Sequence, residues 1–460
     1  MSQDIASAVR ERLCGLYRGR KLILVGAGPV EGLVPLASQL DELGAESFLL
    51  TSIRGARVPG RWPHHALDIQ ATGVVDEFRL FEAALRDLPE EARRALDAFD
   101  PEGEARFVSL ISLSPVEEVA GRRPYGGRIL SAFDLEDKVQ VDPWFRGAGV
   151  TTAPAEVAAV GALGEAHERL DRGHGTVIAG DAREGLHGGA ERVHWAHSEE
   201  ALPSVERALA PYCDRARVMP FLEGVPCSIH GVVFRTRVLT LRPVEMIVLR
   251  APGSTGFRYS GFGTFFDPEP RDREAMRDIA WRMGTHLRAR LRFLGPFTID
   301  GVLSEEGFRP TELNPRFGAA LGLMAASAPE LLLGPLALAA TEGEELDDLV
   351  DDLEKVLLDA IDSHRSGRGS SKISHPIEEL TRHPLVEENG AFRAAGEGET
   401  PDGHLLLGPA SFGGFLRYLP DPDRVPAGEP LAPRVARAFA WADRHLDTRI
   451  GPLQAPTRVR

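Results

Sequence analysis

Lysine is scarce. Only Lys21, Lys138, Lys355 and Lys372 occur among 460 residues, and the remaining 49 of the 53 basic side chains are arginine. Each lysine is therefore a position to inspect. Cysteine is also rare. Cys14, Cys213 and Cys227 are odd in number and lack metal-ligand spacing, which excludes a disulfide scaffold and a zinc ribbon and suits a reducing cytoplasm. Long apolar runs are absent. Leu331–Ala340, interrupted by Gly334 and Pro335, is far short of the ~20 residues a membrane helix needs. The first residues, MSQDIASAVRERLCGLYRGR, mix acid and base and do not read as a signal peptide. Positive charge is in deficit: 53 basic against 68 acidic residues give −15, which would repel a phosphate backbone and argues against nucleic-acid binding.

What remains is an ordinary globular composition, 43% apolar and 26% charged. At ~100–200 residues per domain the length implies two or three domains. Leu22–Val25, the turn GAGPVEG, the amphipathic stretch Leu33–Leu43 and the run Ser47–Leu50 read β-α-β, the start of a parallel sheet. Asp76–Phe99 reads as helix and Phe107–Leu113 as a buried strand, so a first domain ends near residue 115. Residues 134–225 alternate short helices and strands around a glycine- and histidine-rich loop. IHGVVF and RVLTLRPVEMIVL read as long strands. In Asp272–Leu294, Met276, Ile279, Met283, Leu287 and Leu291 fall at steps of three or four, an amphipathic helix. Glu342–Glu354 reads as an acidic helix and HRSGRGSSKISHP as a mobile linker or flap. HLLLG and GFLRYL read as strands before a helix near Val435–Asp447.

The segment TIDGVLSEEGFRPTELNPR, 298–316, carries the most chemistry. Two strand-like runs flank Glu305-Glu306-Gly307, a three-residue hairpin loop with glycine in the left-handed position. Pairing Ser304 with Phe308 sets Asp300 directly opposite Glu312. Alternation puts Glu312, Asn314 and Arg316 on one side. Directly opposed side chains have Cβ atoms about 4.5–5.5 Å apart, so two carboxylates there repel unless a cation lies between them. Two carboxylates and an amide oxygen suit Mg²⁺, and an arginine beside them suits an anion.

Asp300 followed by Glu312-Leu313-Asn314-Pro315-Arg316 resembles the metal-binding hairpin of the ATP-grasp superfamily. Two further segments are similar to that family: Glu136-Asp137-Lys138 ahead of Gly147-Ala148-Gly149-Val150, and the hinge-like Val218–Gly224. The resemblance covers about residues 20–340. It implies an α/β fold of ATP-grasp architecture: a Rossmann-like pre-grasp domain (1–115), an ATP-grasp domain (116–340) with a mobile lid at about 150–225, and a C-terminal α+β extension (341–460). It also implies an ATP-dependent carboxylate–amine ligase, ADP-forming, acting on small amino acids or peptides in a bacterial cytoplasm. Asp300, Glu312 and Asn314 would hold Mg²⁺, with Mn²⁺ as an alternative. Lys138 would reach the ATP phosphates, the main chain at Pro220 and Leu222 would clamp adenine beside Met219, and Arg316 would stabilise the reacting oxyanion. The partners implied are a small carboxylate and a small amine, with homodimerisation as in many relatives.

Three positions depart from the pattern. Ala179 stands where a second lysine is expected, and Met219 and Pro226 where the hinge carries acids. The loop Asp181–Glu191 offers Gly188 and Gly189 to phosphate, and Arg183 or His187 as replacement cations. Arg242, Glu245 and Arg250 lie on one strand-like run, and Arg242 and Arg250 share parity; inward-facing cations there would bind phosphate or a substrate carboxylate, and Arg242 is the candidate catalytic cation. Two other readings compete. A nicotinamide oxidoreductase is suggested by Gly26-x-Gly28-x-x-x-Gly32, but that spacing departs from the fingerprint and Phe48–Ser52 offers no acid for a ribose. The altered positions motivate the other, a degenerate ATP-grasp-like protein that binds nucleotide or a partner without ligating.

Overall fold

The computed structural model describes residues 2–55 and 60–456. Three sheets organise the chain. The first contains β1 (Lys21–Pro29), β2 (Glu46–Ile53), β3 (His64–Ala66) and β4 (Arg106–Ser109), all parallel in the order 3-2-1-4. Its central strands read as continuous apolar runs because helices cover both faces. The expected helix over 76–99 is two, Val74–Arg86 and Glu90–Phe99, since Pro89 cannot continue the first.

The second sheet contains β5 (Glu156–Ala159), β6 (Thr176–Gly180), β7 (Val193–Ala196) and β8 (Arg215–Pro220), antiparallel in the order 5-8-6-7. It has its own small core around Leu163, Ile178, Val205 and Val218.

The third sheet has eleven strands. β9 (Val225–Val233), β10 (Val238–Thr240), β11 (Val244–Arg250), β12 (Phe257–Gly263), β13 (Gly295–Ser304) and β14 (Gly307–Asn314) precede residue 341. β15 (Gly367–Ile373), β16 (Thr381–Glu388), β17 (Ala391–Ala394), β18 (Gly403–Ala410) and β19 (Gly413–Pro420) follow it. The path runs 14-13-9-11-12-15-19-18-16-17, with β10 beside β9. The segment expected to be a linker or flap is instead β15, the strand that joins the C-terminal strands to the others. Its alternating small residues let the sheet close tightly. Gly261 has φ 129°, and a Cβ there would lie 2.0 Å from the Arg368 carbonyl oxygen. The acidic helix also starts later than expected, at Val350, and runs to Ser363. Helix Pro270–Leu291 lays its apolar stripe on β9, β10 and β13. Among the described residues no helix is long and apolar enough to cross a membrane.

Arg242 is corrected by its surroundings. It precedes β11, has no exposed surface, and pairs with Asp267 at 2.8 Å and Asp362 at 2.6 Å. It also donates to the Phe266 carbonyl at 2.8 Å. It ties helix Val350–Ser363 to the sheet and does not face the large cavity described below. Glu245 is likewise structural: its carboxylate accepts from the Leu431 and Ala432 amides at 2.5 and 2.9 Å, which seats helix Ala432–His445. Replacing Arg242 by Ala should cost stability near the low end of ~3–5 kcal/mol, because Asp267 keeps Arg365 and Asp362 keeps Arg273. Urea unfolding should show the loss, while nucleotide affinity of the folded protein stays unchanged. Lost affinity at unchanged stability would return Arg242 to the site.

Candidate active site

The hairpin register is reached by a route the sequence did not announce. The turn has two residues, and Ser304 pairs with Gly307, one step away from the expected partner. Gly307 supplies the left-handed conformation, φ 91°. A bulge then inserts Thr311 between Pro310, opposite Gly301, and Glu312, opposite Asp300. Turn and bulge cancel, so the two carboxylates oppose each other as expected.

Around that pair lies a chain of charge-assisted contacts. Lys138 Nζ is 3.0 Å from Glu312 Oε1. Asn314 Nδ2 donates to Asp300 Oδ2 at 2.9 Å. Arg316 donates to the Asn314 Oδ1 at 3.1 Å and forks onto Glu136 at 2.9 and 3.1 Å. Glu136 also receives Arg128 at 2.6 Å. Burial, then the neighbouring Glu312, pushes the Asp300 carboxyl up to about 7. Burial likewise draws Arg128 down to about 10, against the pull of Glu136. Glu136 and Arg128 were not singled out from sequence as a clamp. The signal available was Glu136 lying two residues from Lys138.

The donor set fits a divalent cation. Two opposed carboxylates, one held near neutrality by burial and its twin, gain most from a shared cation. The Asn314 oxygen faces Arg316, and its second lone pair leaves it able to accept once more. Among the described residues no cluster of three His, Cys, Asp or Glu side chains forms a metal cage, so any ion here would complete its sphere with waters or phosphate.

These groups line one cavity of about 1200 Å³. The start of helix Val74–Arg86, the loop after β4, the β5–β8 sheet and the eleven-stranded sheet all contribute walls. Lys138, Gly188, Gly189, Met219, Leu222, Asp300, Glu312, Asn314 and Arg316 line it. Pro220 is buried in β8 and is not among its walls. Arg183 is also corrected: it points outward, to Asp214 at 2.7 Å and the Pro211 carbonyl at 2.6 Å. His187 is buried against the Gly180 carbonyl at 3.1 Å, and burial lowers it to about 3, so it brings no charge. Ala179 lines the cavity, and its direct cross-strand partner is Arg217, which lines it too. Asp142 holds the Arg217 guanidinium through two contacts of 2.7 Å. A cation thus lines the cavity one strand over from Ala179, a placement visible only once β6 and β8 are paired. Nearby, Trp195 stacks on Phe221 at 4.5 Å, and Arg250 lies over both rings. The Trp195 amide donates to the Thr255 carbonyl at 2.7 Å, which ties β7 to the loop before β12.

No family model and no curated protein matches this sequence. Solved structures do match. The L-amino acid ligase of Bacillus licheniformis superposes with a TM-score of 0.52 over 96% of this chain and 99% of its own, at 12% identity. The N5-carboxyaminoimidazole synthase of Aspergillus clavatus, in complex with ADP and 5-aminoimidazole ribonucleotide, gives 0.52 over 93% and 100%, at 12% identity. The biotin carboxylase domain of the Hydrogenobacter thermophilus 2-oxoglutarate carboxylase, with MgADP and bicarbonate, gives 0.51 over 95% and 91%, at 12% identity. The chain has the ATP-grasp fold. The likeness extends through the C-terminal strands, beyond the residues where the sequence resemblance ends.

The raised Asp300 has a pH consequence. A carboxyl whose folded value exceeds its unfolded value stabilises the fold fully at low pH. That contribution is lost as pH climbs from the usual carboxylate range to about 7. Without divalent ions, Asp300→Asn should therefore raise the melting temperature more at pH 8 than at pH 5. Equal gains at both pH values would contradict the buried like-charge pair.

Proposed function

We propose that the protein is an ATP-dependent ligase that joins a small carboxylate to a small amine and releases ADP. The observation that carries this reading is the Asp300–Glu312 pair with Lys138 and Arg316 in a cavity walled by the β5–β8 sheet, the eleven-stranded sheet and the helix Val74–Arg86. The ATP-grasp fold, shared with a ligase, a synthase and a carboxylase domain, supports it.

In this reading a substrate carboxylate oxygen attacks the γ-phosphorus of ATP, the bond to the β-phosphate bridging oxygen breaks, and ADP leaves. The amine then attacks the acyl carbon, phosphate departs, and the amine's proton passes to solvent or phosphate. Asp300, Glu312 and Asn314 would hold Mg²⁺, whose chemistry is to neutralise phosphate charge. Lys138, buried at the cavity wall, adds a fixed positive charge beside them. Arg316 is the oxyanion group. Its guanidinium is held in orientation by Glu136 and Asn314 before substrate arrives, so little reorganisation opposes the reaction. Arg217 replaces the cation missing at Ala179 and faces the nucleotide end. The β5–β8 sheet covers the cavity and excludes water from the acyl phosphate.

A binding role without turnover is the second reading, and Ala179 is the observation that favours it. An amino-acid screen for ADP release separates the two. The ligase reading expects release with at least one carboxylate–amine pair. Asp300→Asn and Glu312→Gln should each abolish it, and Arg316→Ala should lower kcat by ~10²–10³-fold. Wild-type rates in either carboxylate variant, or nucleotide binding with no release under any pair, would reject it.

A further inference from the structure

Several cationic side chains around the cavity have no carboxylate partner among the described residues, Arg250 and Arg258 included, but two of them stand together on adjacent strands. Arg368 on β15 and Arg417 on β19 line it, and neither has a carboxylate partner among the described residues. Their guanidiniums rest on rings instead, Arg368 over Phe262 at 4.8 Å and Arg417 over Phe415 at 5.2 Å. The Arg417 Nε is buried and has no hydrogen-bond partner.

The ladder explains why they meet. Arg368 is opposite Phe262, and Ser370 is opposite Arg417. Residues 368 and 370 share a face, so the two arginines are diagonal neighbours on the cavity side of adjacent strands. Burial lowers both, and Arg368 adds repulsion at Arg417. The surfaces packed nearby bring no acid to offset this; the one group that favours the charged Arg368 is the Tyr259 phenol. Two desolvated like charges without a counterion are costly to keep. No acid among the described residues faces either of them. A counterion from outside the chain would offset that cost.

The pair shares its cavity with the hairpin: Tyr259 on β12, the strand beside β15, lines it together with Asp300, Glu312, Arg368 and Arg417.

We propose that Arg368 and Arg417 form an oxyanion subsite for the substrate, binding a carboxylate or phosphate that is not the group being activated. Calling that ligand a substrate rests on the ligase reading; the anion site itself does not. The substrate class is then a small molecule with a second negative group, such as a dicarboxylate or a phosphorylated acid or amine. Lys138 and Arg217 then serve the nucleotide end, Arg316 the group being activated, and the strands after residue 366 select the substrate.

The test is calorimetric titration of the full chain with succinate, with inorganic phosphate, and with a non-hydrolysable ATP analogue plus Mg²⁺. Wild type is compared with Arg368→Gln, Arg417→Gln and the double variant. The expected result is saturable binding of succinate or phosphate, weakened at least about tenfold in the double variant, with analogue affinity unchanged. Tight succinate assigns a carboxylate ligand, and tight phosphate a phosphoryl one. Melting temperatures of the anion-free variants should not fall, since removing unpaired like charges relieves repulsion. Equal loss of analogue affinity would overturn the proposal by assigning the arginines to the triphosphate. A large fall in melting temperature would overturn it by making them structural. Analogue binding without either anion would sink the subsite alone; anion binding without analogue binding would sink the ligase reading alone.

Discussion

Two carboxylates held face to face in a low-dielectric cleft are the constraint around which the rest of the site is arranged. Left alone, Asp300 and Glu312 repel, and burial makes the repulsion worse. The chain answers with an ammonium from Lys138 on one acid and an amide from Asn314 on the other. The same amide orients Arg316, which Glu136 holds from behind. Each contact makes the next one worth having. An unpaired member of such a network would cost more than the network gains by including it.

The scaffold delivers these groups by register. β13 is paired on both sides, with β9 and β14, so the hairpin carrying the acids cannot slip without exposing the core face of Ile299 and Leu313. The bulge at Thr311 is the irregularity in the β13–β14 ladder, and it sets which side chains share the cavity face. Continuity of the same sheet through β12 and β15 lets a late segment of the chain reach a cavity built mostly by earlier ones. Gly261 makes that junction sterically feasible.

Some of this was legible from residues alone. The acid, the E-x-N-P-R run and the strand alternation were enough to oppose Asp300 and Glu312, although the loop length was misread; a turn one residue shorter and a bulge of one residue compensate. The helix at Pro270–Leu291 announced itself by its stripe. Arg242 and Arg183 were misplaced because parity along a strand does not reveal which acids later segments bring to it; Asp362 is 120 residues from Arg242, and Asp214 is 31 from Arg183. Arg217 and the Arg368–Arg417 pair were invisible for the same reason in reverse. Their meaning is the absence or substitution of a partner, and that depends on pairings across β6–β8 and β15–β19. The glycine- and serine-rich 364–376 segment reads as a flap because small residues signal loops, whereas here they allow close strand approach.

Anomalous scattering from crystals grown with Mn²⁺ and ADP tests the central account most directly. It predicts a manganese peak bridging the carboxylates of Asp300 and Glu312, with the nucleotide phosphates on its far side against Lys138. Manganese and nucleotide found together elsewhere in the molecule, with Asp300 and Glu312 unmoved and metal-free, would contradict it.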